Sequence, residues 1–192
     1  MNKGGDKFTF KISVIGDGAV GKTSLITKFT KGRFQKEYIK TIGAQFFIYD
    51  TEIDDNYFKL LLWDIAGQDD FNFLRPSFYK ESRAAIIVYS LEENDLGQKS
   101  FKHITNWHDN IKNYCGNIPT VLFGNKVDLV DEKNLNDNKV LKLVKKRNFL
   151  GYYRTSALTG TRVSQGFHAI IKELYNKYKI SRSISQNNNT NN

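Results

Sequence analysis

An octapeptide constrains this chain more than any other feature. Gly16-Asp17-Gly18-Ala19-Val20-Gly21-Lys22-Thr23 spells G-x-x-x-x-G-K-T, directly after a β-like run, Phe8–Ile15, and directly before a helical stretch, Lys22–Lys31. Glycines at these positions let successive backbone N–H groups turn inward around a phosphate chain, and the helix N-terminus adds its partial positive charge. A lysine in this place reaches β- and γ-phosphates, and the hydroxyl after it takes Mg²⁺. Lys22 and Thr23 are the residues expected in those parts.

The rest of the chain reads as the α/β scaffold such a loop needs. Short apolar runs alternate with amphipathic helical stretches, the pattern of a mainly parallel sheet covered on both faces. The runs are Phe8–Ile15, Ala44–Ile53, Asn56–Trp63, Ala84–Ser90, Thr120–Phe123 and Gly151–Thr155, which makes a six-stranded sheet. Ala44–Ile53 and Asn56–Trp63 are joined only through Asp54-Asp55, too few residues for a crossover, so this pair forms an antiparallel hairpin and the sheet is mixed. Ala84–Ser90 and Thr120–Phe123 are unbroken apolar runs, as expected of central strands buried on both faces. Further helices are expected at Gln98–Tyr114, Asp137–Asn148 and Val163–Tyr178. One domain should therefore span residues 8–180, preceded by a flexible N-terminus, 1–7. From Ser181 the chain is rich in Ser and Asn with little apolar content, and a disordered tail is expected over 181–192.

Composition narrows the functional classes. At 192 residues the chain suits one compact domain. Its one cysteine, Cys115, excludes a disulfide framework and a Cys-based zinc site, and it fits a reducing, cytoplasmic compartment. The net charge of +9 should attract anions. The basic residues are spread along the chain rather than bunched, so nucleic acid is not an expected partner. No apolar run approaches the length of a membrane helix, and no signal peptide, myristoylation glycine or C-terminal prenylation cysteine is visible. No lipid anchor is thus expected. Lys172, Lys177, Lys179 and Arg182 offer at most weak peripheral contact with an anionic membrane, at ~1 kcal/mol each near the surface.

The octapeptide resembles the first nucleotide motif of the Ras superfamily of small GTPases, and further stretches match in order. Thr41-Ile42-Gly43 resembles the first switch, and Trp63-Asp64-Ile65-Ala66-Gly67-Gln68 the second switch with its D-x-x-G. Asn125-Lys126-Val127-Asp128 resembles the guanine-reading motif, and Ser156-Ala157-Leu158 the last base-contact loop. The resemblance covers roughly residues 8 to 180 and implies a P-loop NTPase fold, a GTP/GDP site with Mg²⁺, and slow hydrolysis of GTP to GDP. It implies that Gly16 to Thr23 and Ser24 line the phosphates. Thr23 and Thr41 give hydroxyls to Mg²⁺, and Asp64 holds the ion through water. The N–H groups of Thr41 and Gly67 take the γ-phosphate, Gln68 orients the attacking water, and Lys22, Thr41, Gly67 and Gln68 together carry the chemistry. Phe34 lies where the family packs an aromatic edge against the base, and Tyr38 falls in the same nucleotide-lining segment. Asp128 accepts from the guanine N1–H and amine, Asn125 and Lys126 brace that loop, and Ser156, Ala157 and Leu158 line the base, with the Ala157 N–H donating to its carbonyl.

Loss of the γ-phosphate would release both switch segments, and that change is the signal. Thr23 and Thr41 lie too close in sequence for an inserted domain carrying an arginine. Unaided hydrolysis on the order of 10⁻⁴ to 10⁻³ s⁻¹ is therefore expected, with an activating protein in trans. An exchange factor and effectors complete the expected partners, acting on a monomer through the switches. Thr41 to Phe46, with Trp63 and Phe78, is most similar to the Rab branch, which suggests vesicle-trafficking-like signalling and recruitment to membranes by a partner. Gly16 to Thr23 and Leu74-Arg75-Pro76 are closer to the Rho branch, which suggests a cytoskeletal-like role. For Phe46, Trp63 and Phe78, core packing and effector binding weigh evenly. Ile65 replaces a usual threonine, and Asp69-Asp70 replace a usual Glu-Arg, which makes this switch surface more acidic. A scaffold that binds guanine nucleotide without hydrolysis is the alternative, and a P-loop kinase is a weaker one, since a kinase has no use for Asn125-Lys126-Val127-Asp128.

Overall fold

The computed structural model describes residues 5–33, 41–67 and 73–189, with side chains through residue 181. Strands β1 (Lys7–Ile15), β2 (Ala44–Ile53), β3 (Asn56–Ile65), β4 (Ala84–Ser90), β5 (Thr120–Asn125) and β6 (Gly151–Arg154) form one sheet in the order β2-β3-β1-β4-β5-β6. Only β2 and β3 run antiparallel; every other neighbouring pair is parallel. The helices are α1 (Lys22–Lys31), α2 (Arg75–Tyr79), α3 (Asp95–Cys115), α4 (Asn138–Arg147) and α5 (Val163–Asn189). The expected six-stranded, mostly parallel α/β fold is present.

Alternation along the central strands sorts the core into two layers, because successive side chains leave a strand on opposite faces. Ile86 and Val88 of β4 join Val121 and Phe123 of β5 on the face covered by α1 and α5, where Leu25, Ile26, Phe29, Phe167, Ile170 and Ile171 pack. Phe29 and Phe167 stack there with ring centroids 4.1 Å apart. Ile87, Tyr89 and Leu122 face the other way, onto Ile104, Trp107 and Ile111 of α3 and Val140 of α4. Burial on both faces explains why β4 and β5 are apolar throughout.

The β2–β3 turn uses Asp54 and Asp55, both in the left-handed region at φ 51° and 61°. A two-residue turn of that hand matches the twist of the strands, and short polar side chains tolerate it. Asn56 closes it, donating to the Asp54 carbonyl at 2.6 Å and accepting from the Asp6 N–H at 3.0 Å. Asp6 and Lys7 are therefore already tied to the sheet, and the expected flexible N-terminus does not reach residue 7.

Two further expectations are corrected. Helix α2 was not anticipated: five residues are too few for a periodic apolar pattern, and its signal is only Pro76 in the first turn. At the other end, α5 runs to Asn189 rather than stopping at Tyr178. Extending an existing helix adds a hydrogen bond per residue without a new nucleus, and no Gly or Pro stands beyond residue 181 to end it.

Candidate nucleotide site

The carboxyl ends of the parallel strands bring the motif residues to one edge of the sheet. Where β1 ends, the loop from Gly16 turns into α1 through Gly21, whose φ of 98° is left-handed. Gly21 also stands where no side chain fits, since a Cβ would lie 2.3 Å from the Asn125 amide nitrogen. Inside the loop, the Lys22 ammonium donates to the carbonyls of Gly16 and Asp17 at 2.8 and 2.7 Å. Burial pushes its pKa down to about 8, opposed by the nearby carboxylates of Asp64 and Asp17. A desolvated cation curled over a ring of backbone groups is poised for a polyanion.

Next to it, three side chains from separate segments converge. Asp64, at the end of β3 and fully buried, accepts through Oδ2 from the hydroxyls of Thr23 and, at 3.3 Å, Thr41. The two threonine oxygens are 3.1 Å apart. Burial raises the Asp64 pKa, while Lys22 and the two hydroxyls oppose it. The other carboxylate oxygen, Oδ1, is buried and finds no hydrogen-bond partner among the described residues. A buried carboxylate oxygen left so is costly unless something else meets it.

Two hydroxyls and one carboxylate form an oxygen donor set suited to a small hard cation such as Mg²⁺, and the orphaned Oδ1 fits an added water of its shell. Among the described residues no group of three or more His, Cys, Asp or Glu could hold a metal. A hard cation here would complete its oxygen shell with waters and phosphate oxygens.

Gly67 lies against the loop. A Cβ on it would sit 2.2 Å from the Gly16 carbonyl oxygen and 2.5 Å from the Gly18 nitrogen, so only glycine permits this approach. Across the pocket, Asn125 at the end of β5 is buried and donates to the Val20 carbonyl at 2.8 Å, while its Oδ1 accepts from the Thr155 hydroxyl at 3.3 Å. It ties the phosphate loop to the loop that carries Ser156. Lys126 follows in the left-handed region at φ 69° and is ion-paired with Glu92. Asp128 is exposed, in a short 3₁₀ turn Val127–Leu129 beyond it. Ser156 is fully buried, its hydroxyl accepting from the Thr159 N–H at 3.0 Å, and Ala157 is nearly so. Leu158 is half exposed. Ala19, Val20 and Ser24 lie in the loop and first turn as expected.

The structure thus brings together Gly16 to Thr23, Thr41, Asp64, Gly67 and Asn125. Phe34, Tyr38 and Gln68 lie outside the described residues, as do Asp69 and Asp70. Several contributors were not expected from the sequence. Glu92 holds Lys126, and His103 and Trp107 of α3 hold the Asp17 carboxylate. The one available hint was an acidic side chain within a phosphate-binding loop, which needs a partner of its own.

Comparison with known proteins settles the family. The Ras family model matches residues 11–176, most of the chain. The chain belongs to the Ras family. Ras-related protein Rab-1 of Theileria annulata is 36% identical over 172 residues, covering 88% of this chain and 76% of that protein. Ras-related protein Rab-18-B of Danio rerio is 34% identical over 181 residues, 93% and 85% of the two chains. Ras-related protein Rab-13 of Canis lupus familiaris is 33% identical over 175 residues, 91% and 84%. This Ras-family chain is a Rab-like small GTPase, a switch that binds GTP and hydrolyses it to GDP, and regulators and effectors are its general class of partner. A small-molecule kinase is thereby excluded. No helix among the described residues is long and apolar enough to cross a membrane.

Where β2 and β3 meet α2, Phe46, Trp63 and Phe78 form a continuous patch, with centroid separations of 6.1 and 6.0 Å. Phe46 is 61% exposed, while Trp63 and Phe78 are half-buried, so Phe46 at least does not pack into the core.

Proposed function

We propose that this GTPase reads its nucleotide through two segments anchored at Thr41 and Gly67, with Mg²⁺ held by Thr23, Thr41 and, through water, Asp64. The observation that carries the reading is the convergence of those three side chains beside Lys22, with one Asp64 oxygen left without a partner among the described residues. Lys22, freed from the Gly16 and Asp17 carbonyls, takes the β- and γ-phosphate oxygens. The N–H groups of Thr41 and Gly67 donate to the γ-phosphate, which alone distinguishes GTP from GDP. When bound, Mg²⁺ supplies charge neutralisation at the phosphates.

Asp128 accepts from the guanine N1–H and amine, a pairing adenine does not offer, and its exposure beside the pocket suits it to meet a base. Asn125 and Lys126 brace that loop, Ser156, Ala157 and Leu158 line the base, Phe34 packs an aromatic edge against it, and Tyr38 belongs to the same nucleotide-binding set. Gln68 orients the attacking water. Hydrolysis is slow until an activating protein in trans completes the site, and the protein works as a monomer. The exposed Phe46 and the patch it forms with Trp63 and Phe78 support effector docking there. Vesicle trafficking, with recruitment to membranes by a partner, is the process this Rab likeness supports, and the protein is otherwise cytoplasmic.

Nucleotide competition tests the base reading. Bound fluorescent GDP is expected to be displaced by GTP and not by ATP at equal concentration; equal displacement would remove Asp128 from its role. Single-turnover phosphate release from wild type and Gln68→Leu tests the chemistry, and equal rates would leave Gln68 without a part in it.

A further inference from the structure

Asp17 is the acidic residue of the phosphate-binding loop, and its side chain is turned to α3. Its Oδ1 accepts from the Trp107 indole N–H at 2.7 Å, and its Oδ2 lies 2.7 Å from His103 Nδ1. Both carboxylate oxygens are thus engaged by side chains one turn apart on the same face of α3. The carboxylate is 17% exposed, Trp107 is buried, and His103 is 49% exposed.

The main chain of Asp17 has a different duty. Its carbonyl accepts from the Lys22 ammonium, and a Cβ on Gly67 would lie 2.3 Å from its carbonyl carbon. One residue therefore touches Lys22, Gly67 of the second-switch segment and α3. The contact extends further, since the Arg75 guanidinium lies over the Trp107 ring, 4.2 Å from its centroid, and Arg75 opens α2 just beyond the second switch. Hydrogen bonds to an ionised, partly buried acceptor are the strong ones, and a loop held through both oxygens has little freedom to swing.

We propose that His103 and Trp107 form a clasp on Asp17 that positions the phosphate-binding loop and sets how slowly bound nucleotide leaves, with Arg75 linking the clasp to α2. The proposal rests on the reading of this loop as the nucleotide site. Asp17, His103 and Trp107 are positioning residues, acting through the loop backbone and Lys22 rather than on the nucleotide itself.

The test is the release rate of fluorescent GDP from the full chain, chased with excess GDP, alongside the thermal midpoint of each variant. Wild type is expected to retain the probe; failure to bind it would overturn the nucleotide site and the clasp with it. With wild type bound, Asp17→Ala is expected to release about tenfold faster, as for loss of a hydrogen bond to a charged group. Trp107→Phe keeps a ring under Arg75 but lacks the N–H, and should release comparably fast. The double variant should be no faster than Asp17→Ala alone, because that substitution already removes the Trp107 contact. His103→Ala should release a few-fold faster, and His103→Asn, which restores a donor near the Nδ1 position, should return the rate to that of wild type. Multiplying effects in the double variant, or unchanged release in both Trp107→Phe and His103→Ala, would overturn the clasp. Should Asp17→Ala fail to fold, Trp107→Phe and the His103 pair decide alone, and failure of His103→Asn to rescue counts against it.

Discussion

Replacing Asn125 by aspartate isolates one contact that joins three loops of the site. The two side chains are nearly the same size, so packing against Gly21 is kept. Oδ1 of aspartate can still accept from the Thr155 hydroxyl, as Asn125 does at 3.3 Å. The change falls on the other atom, where an amide that donates to the Val20 carbonyl at 2.8 Å becomes an oxygen facing an oxygen. Asn125 and Val20 are both buried, so water cannot relieve the conflict. Leaving a buried carbonyl without its donor costs about 1–3 kcal/mol, and setting a carboxylate against it costs more. Asn125→Ala, which removes the donor but adds no charge, should be the milder of the two. Urea denaturation at fixed nucleotide concentration measures the order, because bound ligand itself adds stability. Release of fluorescent GDP should quicken in the same order, by roughly 5- to 150-fold for the alanine variant if the loss is fully expressed in nucleotide binding. An Asn125→Asp protein as stable and as retentive as wild type would refute the assignment of Asn125 as the tie between the loops.

Three other outcomes are expected. Gly67→Ala places a Cβ within 2.2–2.5 Å of main-chain atoms of the phosphate loop, which cannot move aside cheaply, so its limited-proteolysis pattern should be the same with GDP and a GTP analogue; a wild-type-like difference would contradict the anchoring role given to Gly67. Asp128→Asn should shift preference from guanine toward xanthine nucleotides in a competition assay, and unchanged guanine selectivity would deny Asp128 its base contact. Glu92 is held below its ordinary value of 4.5, chiefly by the hydrogen bond from Lys126. A lowered folded-state carboxylate contributes stability above its unfolded value and loses it as pH falls through the folded one. Glu92→Gln should therefore reduce stability near neutrality and flatten the acid limb of an unfolding profile followed by circular dichroism.

Much of the fold is legible where local pattern and tertiary role agree. The unbroken apolar runs of β4 and β5 announce burial on both faces, and Asp54-Asp55 announces a turn needing two left-handed residues. Helix α2 escapes because five residues around Pro76 carry no period. The end of α5 escapes because polar composition says nothing about a helix already nucleated upstream.

In the site, spacing reveals Lys22 and Thr23, since strand, loop and helix are contiguous there. Asp64, Thr41, Gly67 and Asn125 needed family resemblance to be picked out, because their meeting depends on the order β3-β1-β4-β5 across the sheet. Contacts that no motif encodes stay hidden altogether. His103 and Trp107 show helical spacing in the sequence, but nothing there says that their face of α3 meets Asp17. The Lys126–Glu92 pair likewise joins the ends of β5 and β4, which are neighbours only once the sheet is built.

Hydrogen–deuterium exchange in the peptides containing Thr41 and Gly67, compared between Mg²⁺·GDP and a Mg²⁺·non-hydrolysable GTP analogue, tests the central claim most directly. Slower exchange in both peptides is expected with the triphosphate alone, and chelating Mg²⁺ should abolish the difference at Thr41. Identical exchange in the two nucleotide states would contradict the account.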